Sequence, residues 1–129
     1  MDRPKAGASR QLNPEEEALL TFLLSKPFDG SEALRRQLPS TVVTDDRTDI
    51  DPTIGLTVDR SLAAPAAVRR QIPIEAEGPD EQGGSIHVLL HVHDGYLWEL
   101  EVYRAYGGPL SRLPEPYRLT LIDWDDFPA

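Results

Sequence analysis

The chain has no cysteine, and only two lysines, Lys5 and Lys26, among its 129 residues. Without cysteine there is no disulfide framework, no thiolate zinc site and no thiol nucleophile, a usage that fits a reducing compartment. No apolar run approaches the ~18 residues that a membrane-crossing helix needs. The opening MDRPKAGASRQL lacks the apolar core of a signal peptide. A cytoplasmic protein without a membrane partner is therefore expected. Positive charge is also scarce: 13 basic residues stand against 22 acidic ones, a net charge of −9. Such a surface repels phosphate backbones, which argues against nucleic acid and favours a basic partner. There is no phosphate-cradling glycine loop, and GGSIH, with Ser85 and His87, is not a G-x-S-x-G elbow. Asp45, Asp46, Asp49 and Asp51 do not have the spacing of an EF-hand. No cofactor is implied.

What is present suits one α+β domain, with 40% hydrophobic and 27% charged residues. Residues 1–11 read as a flexible tail and 12–129 as the domain. Asn13, Pro14 and Glu16 have the spacing of an N-cap, a first-turn proline and a capping box, and the apolar face Leu19, Leu20, Phe22, Leu23 and Leu24 follows. A second helix is expected over 31–38, capped by Ser31 and stopped by Pro39. Strands are expected at 41–43, at 54–58, over 68–77 as an edge strand carrying Pro73, through the stretch HVLLHVHDGYLWELEVYR, and at 117–124. Helices first and strands after predict two N-terminal helices on a mainly antiparallel sheet of about five strands.

The hairpin around Asp94-Gly95 carries all three histidines, His87, His91 and His93. A two-residue loop, Asp94-Gly95, would set Leu90 opposite Glu99 and Val88 opposite Glu101, mixing carboxylates into the core. A three-residue loop, His93-Asp94-Gly95, would instead align Val92 with Tyr96, Leu90 with Trp98, Val88 with Leu100 and Ile86 with Val102. At ~1.5–3 kcal/mol per buried side chain, that apolar face favours the second register. It places His93 in the turn. The outer face then comprises His87, Leu89, His91, Leu97, Glu99, Glu101 and Tyr103.

The H-x-H followed by glutamate resembles the cupin metal motif, but the intervals around it differ, and no second motif supplies a later histidine. With the histidines outward, cross-strand His–Glu pairs are expected and no tight divalent ion. The acidic and aromatic residues of this face and of the C-terminus, Glu99, Glu101, Tyr103, Asp123, Trp124, Asp125 and Asp126, are the candidate partner-binding set. Phe127 follows them.

Three segments, LRRQL, IGLTVD and DGYLWELEVYRAYGGPL, resemble an uncharacterised family of small acidic bacterial proteins, in which the hairpin is followed by an aromatic, a basic residue and a Pro-Leu pair. Here those are Tyr103, Arg104 and Pro109-Leu110. Proteins of this look are similar to the immunity proteins encoded beside secreted bacterial toxins. The resemblance implies a non-enzymatic inhibitor that covers a cognate, basic toxin domain. The alternative is a small metal- or ligand-binding domain, or an enzyme, that uses the His/Glu face of the 85–103 hairpin. Oligomeric state is not legible from the sequence.

Overall fold

The computed structural model describes residues 9–46, 52–68, 71–80, 82–106, 110 and 112–126. Residues 1–8 of the expected tail, Asp49, Asp51, Pro109 and Phe127 lie outside them. The chain order is β1 (Arg10–Gln11), α1 (Pro14–Leu23), α2 (Ser31–Gln37), β2 (Thr41–Asp46), β3 (Ile54–Val58), β4 (Ile74–Pro79), β5 (Ser85–His93), β6 (Tyr96–Arg104) and β7 (Thr120–Asp123), with single 3₁₀ turns at Leu38–Ser40, Pro116–Arg118 and Trp124–Asp126. The α+β class stands. Among the described residues the sheet has seven strands rather than about five, in the order β1-β2-β3-β6-β5-β4-β7, and every pairing is antiparallel.

The start of α1 follows the sequence. Asn13 accepts from the Glu16 backbone at 2.8 Å, and the Glu16 carboxylate accepts from the Asn13 backbone at 3.0 Å, closing the capping box. Arg10 adds a two-pronged pair to Glu16, 2.8 Å on each side, and also reaches Asp46. That anchor, with the pairing of β1 to β2, brings order to the last two residues of the expected tail. The start of α2 differs from expectation. Gly30, not Ser31, occupies the cap position, at φ 93°. A left-handed residue turns the chain there, which favours glycine, and a Cβ would lie 2.7 Å from Val68 Cγ2. The Ser31 hydroxyl instead accepts from the Phe28 amide.

Leu19, Leu20, Leu23, Leu24 and Leu34 share one core with the inward residues of the strands. Inward partners face one another across the sheet: Val43 with Leu56, Ile54 with Leu100, Leu90 with Leu100, Val88 with Val102, and Ala76 with Val88. Helix α1 packs toward β4 and α2 toward β6. Both helices thus cover one side of the sheet, and the other side is the outer face.

Three strand expectations need correction. The segment 68–77 is not an edge strand. Pairing of β4 begins at Ile74, just after Pro73, which cannot donate to a ladder, and β4 then pairs on both sides, with β5 and β7. The last strand is shorter than 117–124, because Pro116–Arg118 forms a turn and β7 starts at Thr120. The expected three-residue loop is not formed; the hairpin has the two-residue loop instead, with a register shift that neither alternative included. Its loop is the two residues Asp94 and Gly95, both left-handed at φ 54° and 85°, as a type I′ turn requires. His93 pairs with Tyr96 and so ends β5 rather than lying in the turn. Beyond Val92–Leu97 the register shifts, and His91 pairs with Glu99. Trp98 is the extra residue of a β-bulge. The bulge turns Leu97 inward, 1% exposed, and leaves Trp98 half-buried against the His93 ring at 4.7 Å. A relaxed turn and a clean apolar face are both achieved, through one extra residue on β6.

Candidate functional site

The outer face of the three adjacent strands β4, β5 and β6 gathers the titratable side chains. Strand alternation sends Glu75 and Glu77 outward from β4, His87, Leu89 and His91 from β5, and Glu99, Glu101 and Tyr103 from β6. Two His–Glu groups result. In the first, His87 Nδ1 lies 2.9 Å from Glu75 Oε2 and 3.7 Å from Glu77 Oε2. Its other ring nitrogen, Nε2, is 2.9 Å from Ser85 Oγ, and the ring stacks on Tyr103 with centroids 5.2 Å apart. In the second, His91 Nε2 lies 2.8 Å from Glu101 Oε1 and 4.0 Å from Glu99 Oε1. In each group one donor atom per residue falls within 4.8 Å of the other two. The close pair of the first group is the more enclosed, with Glu75 and His87 side chains 13% and 17% exposed against 37% and 28% for Glu101 and His91, while Glu77 is 43% exposed. Burial, together with the Glu75 and Glu101 carboxylates, pushes the Tyr103 phenol above its ordinary range.

The structure divides the partner-binding set. Glu99, Glu101 and Tyr103 stand together on the outer face, but Leu97, expected beside them, has turned into the core. Asp123 lies opposite the inward Ile74, on the helix side of the sheet. It sits 3.6 Å from Lys26 Nζ, which Asp126 contacts at 3.1 Å. The Asp126 hydrogen bond is the main cause that raises the Lys26 ammonium above its usual value. Trp124 and Asp125 are exposed just past β7, where the Trp124 backbone donates to Pro73 and the Asp125 backbone to Asp123. The C-terminal carboxylates therefore fold back toward α1 instead of extending the outer face. His93 is exposed at the hairpin tip, 3.4 Å from Asp94.

Sequence reasoning missed Glu75 and Glu77. The signal was present in I-P-I-E-A-E, followed by the turn-rich GPDEQGG that joins β4 to β5. A hairpin closed by that whole segment would have set Glu77 opposite Ser85, on the outer face beside His87; Gly78 and Pro79 extend β4, and Glu77 pairs with His87 itself.

On the helix side, a cavity of about 620 Å³ opens between the start of α1 and the 110–119 segment. Arg104, Arg112 and Arg118 line it together with Glu15, Glu16, Asp80 and Glu115. Arg104 is already engaged by the buried Asp80 at 2.8 Å. Four carboxylates against three arginines give the lining no strong excess of either sign.

The model of a family described as a domain of unknown function, DUF6984, matches residues 9–114, and the chain belongs to that family. The match takes in both His–Glu groups and ends before β7. No curated protein and no solved structure matches the chain.

Proposed function

We propose that this is a non-enzymatic protein-binding domain that uses its outer sheet face to hold a basic protein. The observation that carries the reading is the concentration of Glu75, Glu77, Glu99 and Glu101 around Leu89 and Tyr103 on the side opposite the helices. Aromatic and aliphatic side chains supply contact area, while carboxylates steer the encounter and select the sign of the partner. In its narrower form the partner is a secreted bacterial toxin domain and the protein its immunity factor. The net charge and the hairpin resemblance support that form.

One exposed charge pair is worth only about 1 kcal/mol at ~4 Å in bulk water, so several must act together. The test is association kinetics against the toxin domain encoded beside the gene. Neutralising Glu99 and Glu101 to glutamine should slow association about tenfold and flatten its dependence on salt. Neutralising Asp123 and Asp126, which hold Lys26, should leave the association rate within twofold. If the glutamate variants associate at the parental rate at every salt concentration, the acidic-face reading is wrong.

A further inference from the structure

We infer that Glu75, Glu77 and His87 form a binding site for one divalent transition-metal cation of the zinc type, with Ser85 as the residue that positions the imidazole. This goes beyond partner binding and does not depend on it. The expectation of a merely solvated face considered only the hairpin's own glutamates and did not place the two that β4 supplies.

The geometry is that of a donor set. Ligands about 2.1 Å from an ion lie about 3.0 Å apart in an octahedral site and about 3.4 Å apart in a tetrahedral one. The separations from His87 Nδ1 are 2.9 Å to Glu75 and 3.7 Å to Glu77, which bracket those edges. The chelate rests on paired strands, with Glu77 directly opposite His87, so it needs no loop closure. Three protein ligands leave the remaining positions to water on an open sheet face.

The observation that distinguishes this group from a cluster of carboxylates is the far side of the ring. Ser85 Oγ lies 2.9 Å from Nε2, and Tyr103 holds the ring plane, 18° from parallel. A metal-ligating histidine has its second nitrogen held by a hydrogen-bonding partner, which fixes tautomer and direction. A hydroxyl serves both states of this site. With no ion, Nδ1–H donates to Glu75 and the Ser85 O–H donates to Nε2. With an ion on Nδ1, the ring carries its proton on Nε2 and donates it to Ser85 Oγ. Binding therefore needs a change of tautomer and no change of rotamer. The imidazole donor favours zinc-type ions over calcium or magnesium, which take oxygen ligands. The Ser85–His87–Glu75 row also has the order of a nucleophile, a base and an orienting carboxylate. Two features favour the cation: Glu77 converges on the same nitrogen, and Ser85 opens a strand rather than a strained turn.

Zinc chloride titrated into the full chain by calorimetry tests the site. One saturable event per chain with micromolar or tighter affinity is expected, unaffected by millimolar magnesium. His87→Ala should abolish it, and Glu77→Gln should weaken it at least tenfold. Ser85→Ala should weaken it about 10–100-fold, as loss of an orienting partner does. His91→Ala should leave it within twofold. Nitrogen-detected imidazole spectra of the parent should show the His87 proton move from Nδ1 to Nε2 as zinc saturates. Circular dichroism confirms folding, and His87→Gln replaces His87→Ala if the latter does not fold. No saturable heat from the parent, an event that survives loss of His87, or one that disappears with His91 instead would overturn the site. So would hydrolysis of a nitrophenyl ester that persists in chelator and is lost in Ser85→Ala, which would assign the row to acyl transfer.

Discussion

Replacing Gln37 by leucine should destabilise the protein by about 2–4 kcal/mol, and the reason lies in three hydrogen bonds. Gln37 is fully buried at the end of α2. Its Nε2 donates to the carbonyls of Gly95 at 2.9 Å and Ala64 at 3.0 Å, and its Oε1 accepts from the Leu97 amide at 3.0 Å. One side chain thus ties the second helix, the 60–66 loop and the hairpin turn together. Leucine keeps most of the volume, so the cavity contribution is small. The Leu97 amide loses its acceptor in a buried place, which costs ~1–3 kcal/mol. The Gly95 carbonyl keeps the Ala66 amide at 2.8 Å, and Ala64 is exposed, so each loses only an ordinary hydrogen bond or regains water. With a urea slope of about 1.5 kcal/mol/M, the midpoint should fall by roughly 1.3–2.7 M at unchanged slope. Gln37→Glu should be at least as costly near neutral pH, since a carboxylate would face two carbonyls. Burial raises a carboxyl's pKa, so that variant should regain stability as the pH falls. A leucine variant within about 0.5 kcal/mol of the parent would refute the account.

The bulge makes Leu97→Ala cost about 2–5 kcal/mol, as a core truncation does, and Trp98→Ala about 1 kcal/mol; chemical denaturation giving the reverse order would restore the three-residue loop. Ser61 donates its hydroxyl to Asp59 Oδ1 at 2.6 Å and its amide at 3.0 Å, and these bonds hold the Asp59 carboxyl below its usual range. Stability from this group is present above the ordinary aspartate range and is lost as the pH falls through the depressed value, so an NMR titration of Ser61→Ala should show the Asp59 midpoint move up.

What the sequence disclosed depended on how local each signal was. The capping box at Asn13–Glu16 and the apolar face of α1 arise within two turns of helix, and both are observed. The Ile54–Val58 strand was legible from its β-branched residues, and its bounds match. The start of α2 misled because serine is the commoner cap, while part of the reason for glycine at position 30, the lack of room for a Cβ, comes from the distant Val68. The edge assignment for β4 failed for a similar reason. Pro73 marks where pairing can begin and does not reveal that β7 arrives on the other side more than forty residues later. At the candidate site, the outward direction of His87, His91, Glu99 and Glu101 was legible from alternation. So was a His–Glu pair across the hairpin, as His91 makes, but the partners of His87 were not, because it takes its nearest carboxylate from β4.

The two His–Glu groups follow from one arrangement. An H-x-x-x-H strand lies between two E-x-E strands, each antiparallel to it. In both groups the directly opposite glutamate is the more distant, Glu77 at 3.7 Å and Glu99 at 4.0 Å. The closer one is two residues away on the same strand, Glu75 before Glu77 at 2.9 Å and Glu101 after Glu99 at 2.8 Å. Twisted strands bring one diagonal neighbour within reach of a long side chain, and the same diagonal preference appears on both sides of β5. The bulge at Trp98 is what makes the second group available. In the unbulged two-residue register, Glu99 would face Leu90 and Glu101 would face Val88, placing both carboxylates on the side that α2 covers. One extra residue in β6 exchanges them for Leu100 and Val102. The same local irregularity therefore completes the core on one side of the sheet and assembles an acidic, histidine-bearing surface on the other.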